Sequence, residues 1–115
     1  MLDAEALFSP PTVPVEVRVP ERFAERAGAL GVPMSRAIKI GAYALLAAEE
    51  GGDVVLSDLL GRAARPRGPR RRITVRIPLG LHDLIADRMA PLTPAAALSA
   101  VASLFALHPE TVAHV

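Results

Sequence analysis

The sequence of 115 residues has no cysteine and no tryptophan, and aromatic residues make up only 3% of it. Without cysteine the chain has no disulfides, no thiolate metal sites and no thiol nucleophile. Because aromatic residues are so scarce, the core must consist mainly of Ala, Val, Leu and Ile. Such a composition favours closely packed helices over a large aromatic-lined pocket. A chain of this length suits one compact domain.

Sequence motifs of catalysis and cofactor binding are missing as well. There is no glycine-rich phosphate loop and no serine-centred elbow. The three histidines, His82, His108 and His114, have no partners at metal-binding spacing. Asp83 and Asp87 share a helix face and are interpreted as solvated charge. We therefore predict that the protein is not an enzyme and has no cofactor, no metal and no small-molecule substrate.

Long apolar runs and targeting signals are also lacking. The longest uncharged stretch, residues 89–109, contains three prolines, so we interpret it as a buried helix and not as a membrane span. The N-terminus has no basic start followed by an apolar run. We therefore expect no membrane association and a cytoplasmic location.

Positive charge is present but unevenly distributed. The formal net charge is only +1, yet seven of the twelve arginines lie between Arg62 and Arg76, where there is no Asp or Glu. This clustering predicts a local positive field. The excess of arginine suits forked contacts with phosphate or guanine, and a GC-rich genome explains it equally well. The segment from Arg65 to Arg72 is compatible with a solvated linker and with a strap that contacts DNA.

One sequence pattern occurs twice. Residues 15–20 read Val-Glu-Val-Arg-Val-Pro, and 58 positions later residues 73–78 read Ile-Thr-Val-Arg-Ile-Pro. The alternation of β-branched and polar residues predicts a strand with one buried face. The proline then ends each strand at a point where a helix can begin.

Two predicted helices follow each strand. The short helices have apolar stripes, formed by Phe23, Ala27 and Leu30 in the first half and by Leu81, Leu84 and Ile85 in the second. Ser35 is predicted to cap a longer helix that runs toward Glu49, and Thr93 one that continues to about Leu107. Both capping residues lie 15 positions after the proline of their strand, so the repeat extends through three elements.

The repeat divides the chain into four segments that share one core. Residues 1–12 are predicted to be a flexible N-terminal arm, and residues 13–50 the first unit. Residues 51–71 form a connector rich in Arg, Pro and Gly. Within it, residues 56–64 are predicted to form a helical turn or two, with Leu59 and Leu60 packed on the body. Residues 72–115 are the second unit.

Neither predicted strand can stand alone, and neither can one unit of about 35 residues. We therefore predict a mainly α fold in which the two strands pair into an antiparallel ribbon over four helices. The inner face of the ribbon would carry Val15, Val17, Val19, Ile73, Val75 and Ile77. The outer face would carry Glu16, Arg18, Arg72, Thr74 and Arg76.

This pattern resembles the ribbon-helix-helix family of DNA-binding proteins, of the MetJ/Arc type, in a tandem form with both units on one chain. The resemblance covers residues 13–50 and 71–108. It implies an intramolecular pseudo-dimer whose ribbon enters the major groove of double-stranded DNA. A transcriptional repressor, or an accessory factor at a plasmid or phage site, would act this way in association with the nucleoid. The resemblance also allows pseudo-dimers to self-associate along DNA.

The resemblance assigns roles to individual residues. The base-contacting residues would be the outward ones of the ribbon: Glu16, Arg18, Arg72, Thr74 and Arg76. The phosphate contacts would come from the amides around Ser35, Arg36 and Thr93, at helix N-termini, and from Arg70 and Arg71.

Three residues depart from the family pattern. Pro14 takes a place where the family often has a polar base reader. Glu16 would lie near phosphates, which is unfavourable unless it meets a cytosine or pairs with an arginine. Pro94 removes one amide from its helix N-terminus. We therefore expect the two halves of the DNA site to be read differently.

Two alternatives stay open from the sequence. The ribbon is also compatible with an ordinary edge hairpin that carries solvated arginines. The fold is also compatible with a scaffold that binds a protein partner and has lost DNA binding, which the near-neutral net charge, Glu16 and Pro14 favour.

Overall fold

A computed structural model of the protein describes residues 2–63 and 68–107. Within them the elements follow in the order α1 (Ala4–Leu7), β1 (Thr12–Pro20), α2 (Glu21–Leu30), α3 (Met34–Glu50), α4 (Leu56–Ala63), β2 (Arg70–Pro78), α5 (Leu79–Arg88) and α6 (Pro94–Leu107). The described residues thus form a mixed α/β fold with six helices and one two-stranded antiparallel sheet. None of these helices is long and apolar enough to cross a bilayer.

The two strands pair along their whole length. Each has nine residues, and the register runs from Thr12 opposite Pro78 to Pro20 opposite Arg70. Side chains alternate between the two faces, as the period-2 pattern predicts. The six predicted inner residues are buried, with Ile73 partly so, and the five predicted outer residues are exposed. The prediction of the ribbon and of its two faces is confirmed.

The register has a simple relation to the sequence repeat. Glu16 faces Thr74 at the middle of the ribbon, and these two residues are also equivalent positions of the repeat. On one side of this pair Arg18 faces Arg72, and on the other side Pro14 faces Arg76. Exchanging each residue for its repeat equivalent therefore leaves the set of paired positions unchanged, with Glu16 and Thr74 at the centre.

A proline joins each strand directly to a short helix. Pro20 and Pro78 are the N-caps of α2 and α5, with φ of −63° and −54°, values that the proline ring fixes and that suit a helix start. Both helices have ten residues, and each buries residues of its predicted apolar stripe, Phe23 and Ala27 in α2 and Leu81 and Ile85 in α5. α2 ends at Gly31, whose φ of +70° is readily available only to glycine. Leu30, assigned to the buried stripe, is 49% exposed, because the helix ends there.

The core lies beneath the ribbon and is shared by both halves. α6 packs against β1, α3 packs against β2, and α3 and α6 contact each other. Phe23 of α2 and Phe105 of α6 meet edge-to-face, with ring centroids 5.0 Å apart. The rest of the core is almost entirely aliphatic, as the scarcity of aromatic residues required.

The N-terminal segment differs from the predicted flexible arm. It contains α1, whose N-cap Asp3 accepts hydrogen bonds from the amides of Glu5 and Ala6, at 3.1 and 3.3 Å. The ring of Phe8 contacts that of Tyr43 edge-on, and Thr12 already belongs to β1. The segment thus packs against the body. A helix of four residues is too short to show apolar periodicity, so no sequence pattern predicted it.

The helix predicted within residues 56–64 is present as α4, and the strand that follows begins earlier than predicted. α4 buries Leu56 and Leu60 and partly buries Leu59. β2 begins at Arg70, so Arg70 and Arg71, which were assigned to the connector, belong to the strand. Residues 64–67, which include the beginning of the predicted strap, lie outside the described residues, as do His108 and His114.

Replacing Phe23 by Ala tests the shared core. Because this fully buried ring contacts α6, we expect the free energy of unfolding to fall by about 3–5 kcal/mol, as for other buried phenylalanines. Urea denaturation followed by circular dichroism measures it. Phe8→Ala is the matched control, since Phe8 is 37% exposed, and its loss should be clearly smaller. Equal losses in the two variants would contradict the placement of Phe23.

Candidate nucleic-acid interface

The outer side of the ribbon forms one continuous surface, which we call the ribbon face. It consists of the outward residues of both strands, Thr12, Pro14, Glu16, Arg18, Arg70, Arg72, Thr74 and Arg76. All of them are exposed except Thr12, which is partly so. The five residues predicted to contact bases thus lie together on one surface, and none of the described helices covers it at these positions.

The ribbon face is more positive than the chain as a whole. It carries four arginines and one glutamate, a net charge of +3, against +1 for the entire sequence. The charge is also uneven along the ribbon. Arg18, Arg70 and Arg72 lie toward one end, whereas Arg76 lies at the other end with Pro14 and Thr12.

One ion pair crosses the ribbon face. Oε1 of Glu16 lies 2.7 Å from Nε of Arg72, and the two side chains are 55% and 65% exposed. Such an exposed pair contributes only about 0–1 kcal/mol to stability. Its main effect is therefore local: the guanidinium of Arg72 is directed toward Glu16, and Glu16 has an arginine partner, one of the two conditions expected for a glutamate near phosphates.

The arginine at the opposite end has a neutral partner. Nε of Arg76 donates to Oγ1 of Thr12 across the two strands, at 3.2 Å. This contact orients Arg76 without cancelling its charge. Thr12 was missed because the alternating pattern of the first strand is recognisable only from Val15 onward.

The outer edge of β1 is held by a helix. The amide of Arg18 donates to Oγ of Ser99 in α6, at 3.1 Å, and this hydroxyl donates to the carbonyl of Ala95. Hydrogen-bonding direction alternates along a strand, so the nitrogen of Pro14 faces the same outer edge. Pro14 therefore costs the ribbon no ladder hydrogen bond. Ser99 was not predicted, although a serine among Ala and Leu on a core helix is the kind of signal that marks such a contact.

Arg70 and Arg71, predicted together as phosphate contacts, are separated by the structure. Arg70 lies on the ribbon face, in line with Arg72. Because side chains alternate along the strand, Arg71 lies on the other face of the ribbon, opposite Val19. Its Nη2 lies 3.1 Å from Oε2 of Glu21, the first residue of α2. Arg71 is thus directed toward a helix start and away from the ribbon face.

Helix α6 starts where the sequence predicts, directly after Thr93. Oγ1 of Thr93 accepts from the amide of Ala96 at 3.2 Å, and its carbonyl accepts from Ala97 at 2.8 Å. Thr93 is therefore the cap. Pro94 has no N–H group, so only the amide of Ala95 remains as an unused donor in this turn, as far as the described residues show.

The N-terminus of α3 begins earlier than predicted. Pro33 is its N-cap, with no side-chain hydrogen bond, and the helix starts at Met34, so the assignment of Ser35 as the cap was wrong. The φ of −58° at Pro33 already suits helix entry, so the chain turns into the helix before Ser35. The amides of Met34, Ser35 and Arg36 donate to no acceptor within the described part of the chain. This turn offers three donors where α6 offers one.

In the described part of the chain, histidines and carboxylates outside the ribbon face do not gather into a metal-binding cluster. Residues 2–63 and 68–107 contain no group of three or more His, Asp or Glu that could hold a metal ion. His82 contacts its neighbour Asp83 at 3.1 Å, and Asp87 lies 3.8 Å from Arg88. Two shallow grooves of about 340 and 410 Å³ lie beside α3 and between α4 and α5, and no residue of the ribbon face lines either.

No protein-family model matches this sequence, and no curated protein or solved structure shows significant similarity to it. The function must therefore be argued from the residues and their arrangement alone.

The two helix starts give a testable contrast. Thr93→Ala removes the acceptor of the Ala96 amide, so we expect the free energy of unfolding to fall by about 1 kcal/mol. Ser35→Ala is the matched control, because Ser35 caps no helix, and its effect should stay within about 0.5 kcal/mol. Urea denaturation of both variants measures the difference. A larger loss at Ser35 than at Thr93 would contradict the start of α3 at Met34.

Proposed function

We propose that this protein binds double-stranded DNA sequence-dependently by inserting the ribbon face into the major groove. It would act as a transcriptional repressor or as an accessory factor at a plasmid or phage site. One observation carries the proposal: a two-stranded ribbon buries its apolar face and exposes three arginines and a threonine, Arg18, Arg72, Arg76 and Thr74, on the other.

The dimensions of the ribbon support this placement. Paired strands lie about 4.8 Å apart, and the major groove is about 12 Å wide, so the ribbon fits with its side chains directed at the base edges. Outward residues repeat every ~7 Å along a strand, about twice the ~3.4 Å rise of one base pair. Successive outward residues would therefore meet every second base pair.

The proposal includes the architecture of a tandem pseudo-dimer. Two ribbon-helix-helix units would be related by a pseudo-two-fold axis between Glu16 and Thr74. The register that is symmetric about this pair supports it, as do the equal lengths of the strands and of the short helices. The crosswise packing of α6 on β1 and α3 on β2 also fits two interlocked units.

The side chains on the ribbon face supply suitable chemistry for base reading. Arginine donates two parallel hydrogen bonds to O6 and N7 of guanine, and threonine contacts the thymine methyl group or an acceptor. The free amides at the start of α3 would bind a phosphate, and those at the start of α6 would contribute less. Arg70, at the end of the ribbon, would add a further phosphate contact.

The alternative is a scaffold that keeps the fold and binds a protein partner. The glutamate and the proline on the ribbon face, Glu16 and Pro14, favour it, because neither attracts phosphate. A single titration separates the two functions. Fluorescence anisotropy with a labelled random duplex at about 50 and 200 mM salt should show binding that weakens steeply with salt, because bound counterions are released. No binding at the lower salt concentration would favour the scaffold.

Arg76→Ala tests base reading directly. On a duplex obtained by selection from a random library, we expect a loss of about 1–3 kcal/mol of binding free energy and relaxed choice at one base position. Arg88→Ala is the control: it removes the same charge from the last turn of α5, where Arg88 pairs with Glu49, and should leave base choice unchanged. Equal losses on all sequences would mean that Arg76 contacts only phosphate.

A further inference from the structure

We infer that the Glu16–Arg72 ion pair makes the protein read a DNA site without two-fold symmetry, in a single orientation. The pair would recognise a G·C-containing step in one half of that site. The inference rests on the proposed DNA binding and names the class of sites bound.

The pair joins the centre of the ribbon to one of its two halves and has no counterpart in the other half. The repeat equivalents of Glu16 and Arg72 are Thr74 and Pro14, and neither carries a charge. One end of the ribbon face thus has an ion pair with Arg18 beside it, and the other end has Arg76 held by Thr12. A DNA site with two identical halves would meet a different surface in each half.

The charge of Glu16 changes which DNA sequences the half of the ribbon with Arg18 and Arg72 can bind. Without a carboxylate beside them, Arg18 and Arg72 would attract the phosphates of DNA of any sequence. A carboxylate 2.7 Å from Arg72 repels phosphate oxygens and neutralises part of that attraction. Glu16 therefore lowers binding to arbitrary DNA and favours sequences that offer its carboxylate a hydrogen-bond donor.

The atoms used in the ion pair leave suitable groups for one base pair type. Arg72 contacts Glu16 through Nε, so both terminal nitrogens remain to donate to O6 and N7 of guanine. Glu16 uses Oε1, so Oε2 remains to accept from the N4 amino group of cytosine. In the major groove, guanine presents the acceptors and cytosine presents the donor. Because each side chain holds the other, the two bases are read as one unit.

The Glu16–Arg72 ion pair contributes little to the stability of the fold. Both side chains are more than half exposed, and an ion pair screened by water contributes little to the fold. The variants below therefore keep the fold intact, which thermal unfolding monitors.

The first experiment examines site symmetry. A duplex selected from a random library is compared with two palindromes, each built from one half of the selected site. We expect wild-type protein to bind the selected duplex about tenfold or more tightly than either palindrome, the size of effect that one well-made base contact gives. Equal affinity for one palindrome would overturn the inference and leave DNA binding intact. No binding to any duplex would overturn the proposed function as well.

The second experiment uses Glu16→Gln, which removes the charge and keeps the shape. We expect tighter binding to random duplex and a ratio of selected to random affinity that falls about tenfold. Glu25→Gln, on the exposed side of α2, is the charge-matched control, and its ratio should equal that of the wild type. An unchanged ratio in Glu16→Gln would overturn the role of the pair.

The third experiment removes the difference between the two strands. Pro14→Arg combined with Glu16→Thr places on β1 the outward series Arg, Thr, Arg that β2 already has at residues 72, 74 and 76. We expect this double variant to prefer a palindrome over the asymmetric duplex, reversing the wild-type order. A double variant that keeps the wild-type order would overturn the inference.

Discussion

The pairing of β1 with β2 is the constraint on which the rest of the structure depends. It joins segments whose paired residues lie 50 to 66 positions apart in the sequence, and its alternation sends the Val and Ile side chains into the core and the arginines outward. A one-residue slip would exchange the two faces, burying charge and exposing aliphatic side chains. The same hydrogen-bonded register therefore determines which side chains of the two strands enter the core and which form the ribbon face.

The fold could be predicted largely because the sequence states one pattern twice. Alternation identified both faces of the ribbon, and the prolines that end the strands located the starts of α2 and α5. Elements without such a pattern were missed. α1 is too short for periodicity, and Ser35 resembles a helix cap although Pro33 had already started the helix. The tendency of serine to cap helices does not decide where α3 starts, because the fixed φ of Pro33, two residues earlier, already leads the chain into the helix.

The candidate site could be predicted as a set of residues but not as a set of contacts. Parity along the strands identified Glu16, Arg18, Arg72, Thr74 and Arg76 as outward. The choice of partners depends on diagonal neighbours in the folded ribbon, and no sequence pattern encodes it. Three contacts are therefore properties of the folded ribbon alone: the pairing of Glu16 with Arg72, the hydrogen bond from Arg76 to Thr12 and the ion pair of Arg71 with Glu21.

Both strands of the ribbon belong to one polypeptide, and this has a consequence for behaviour at low abundance. A ribbon assembled from two separate chains comes apart on dilution, because folding and association are then one equilibrium. Here the tether keeps the second strand at a high effective concentration, so a few copies per cell would remain folded. Covalent linkage also allows the two strands to differ in sequence, because a mutation in one strand need not be repeated in the other.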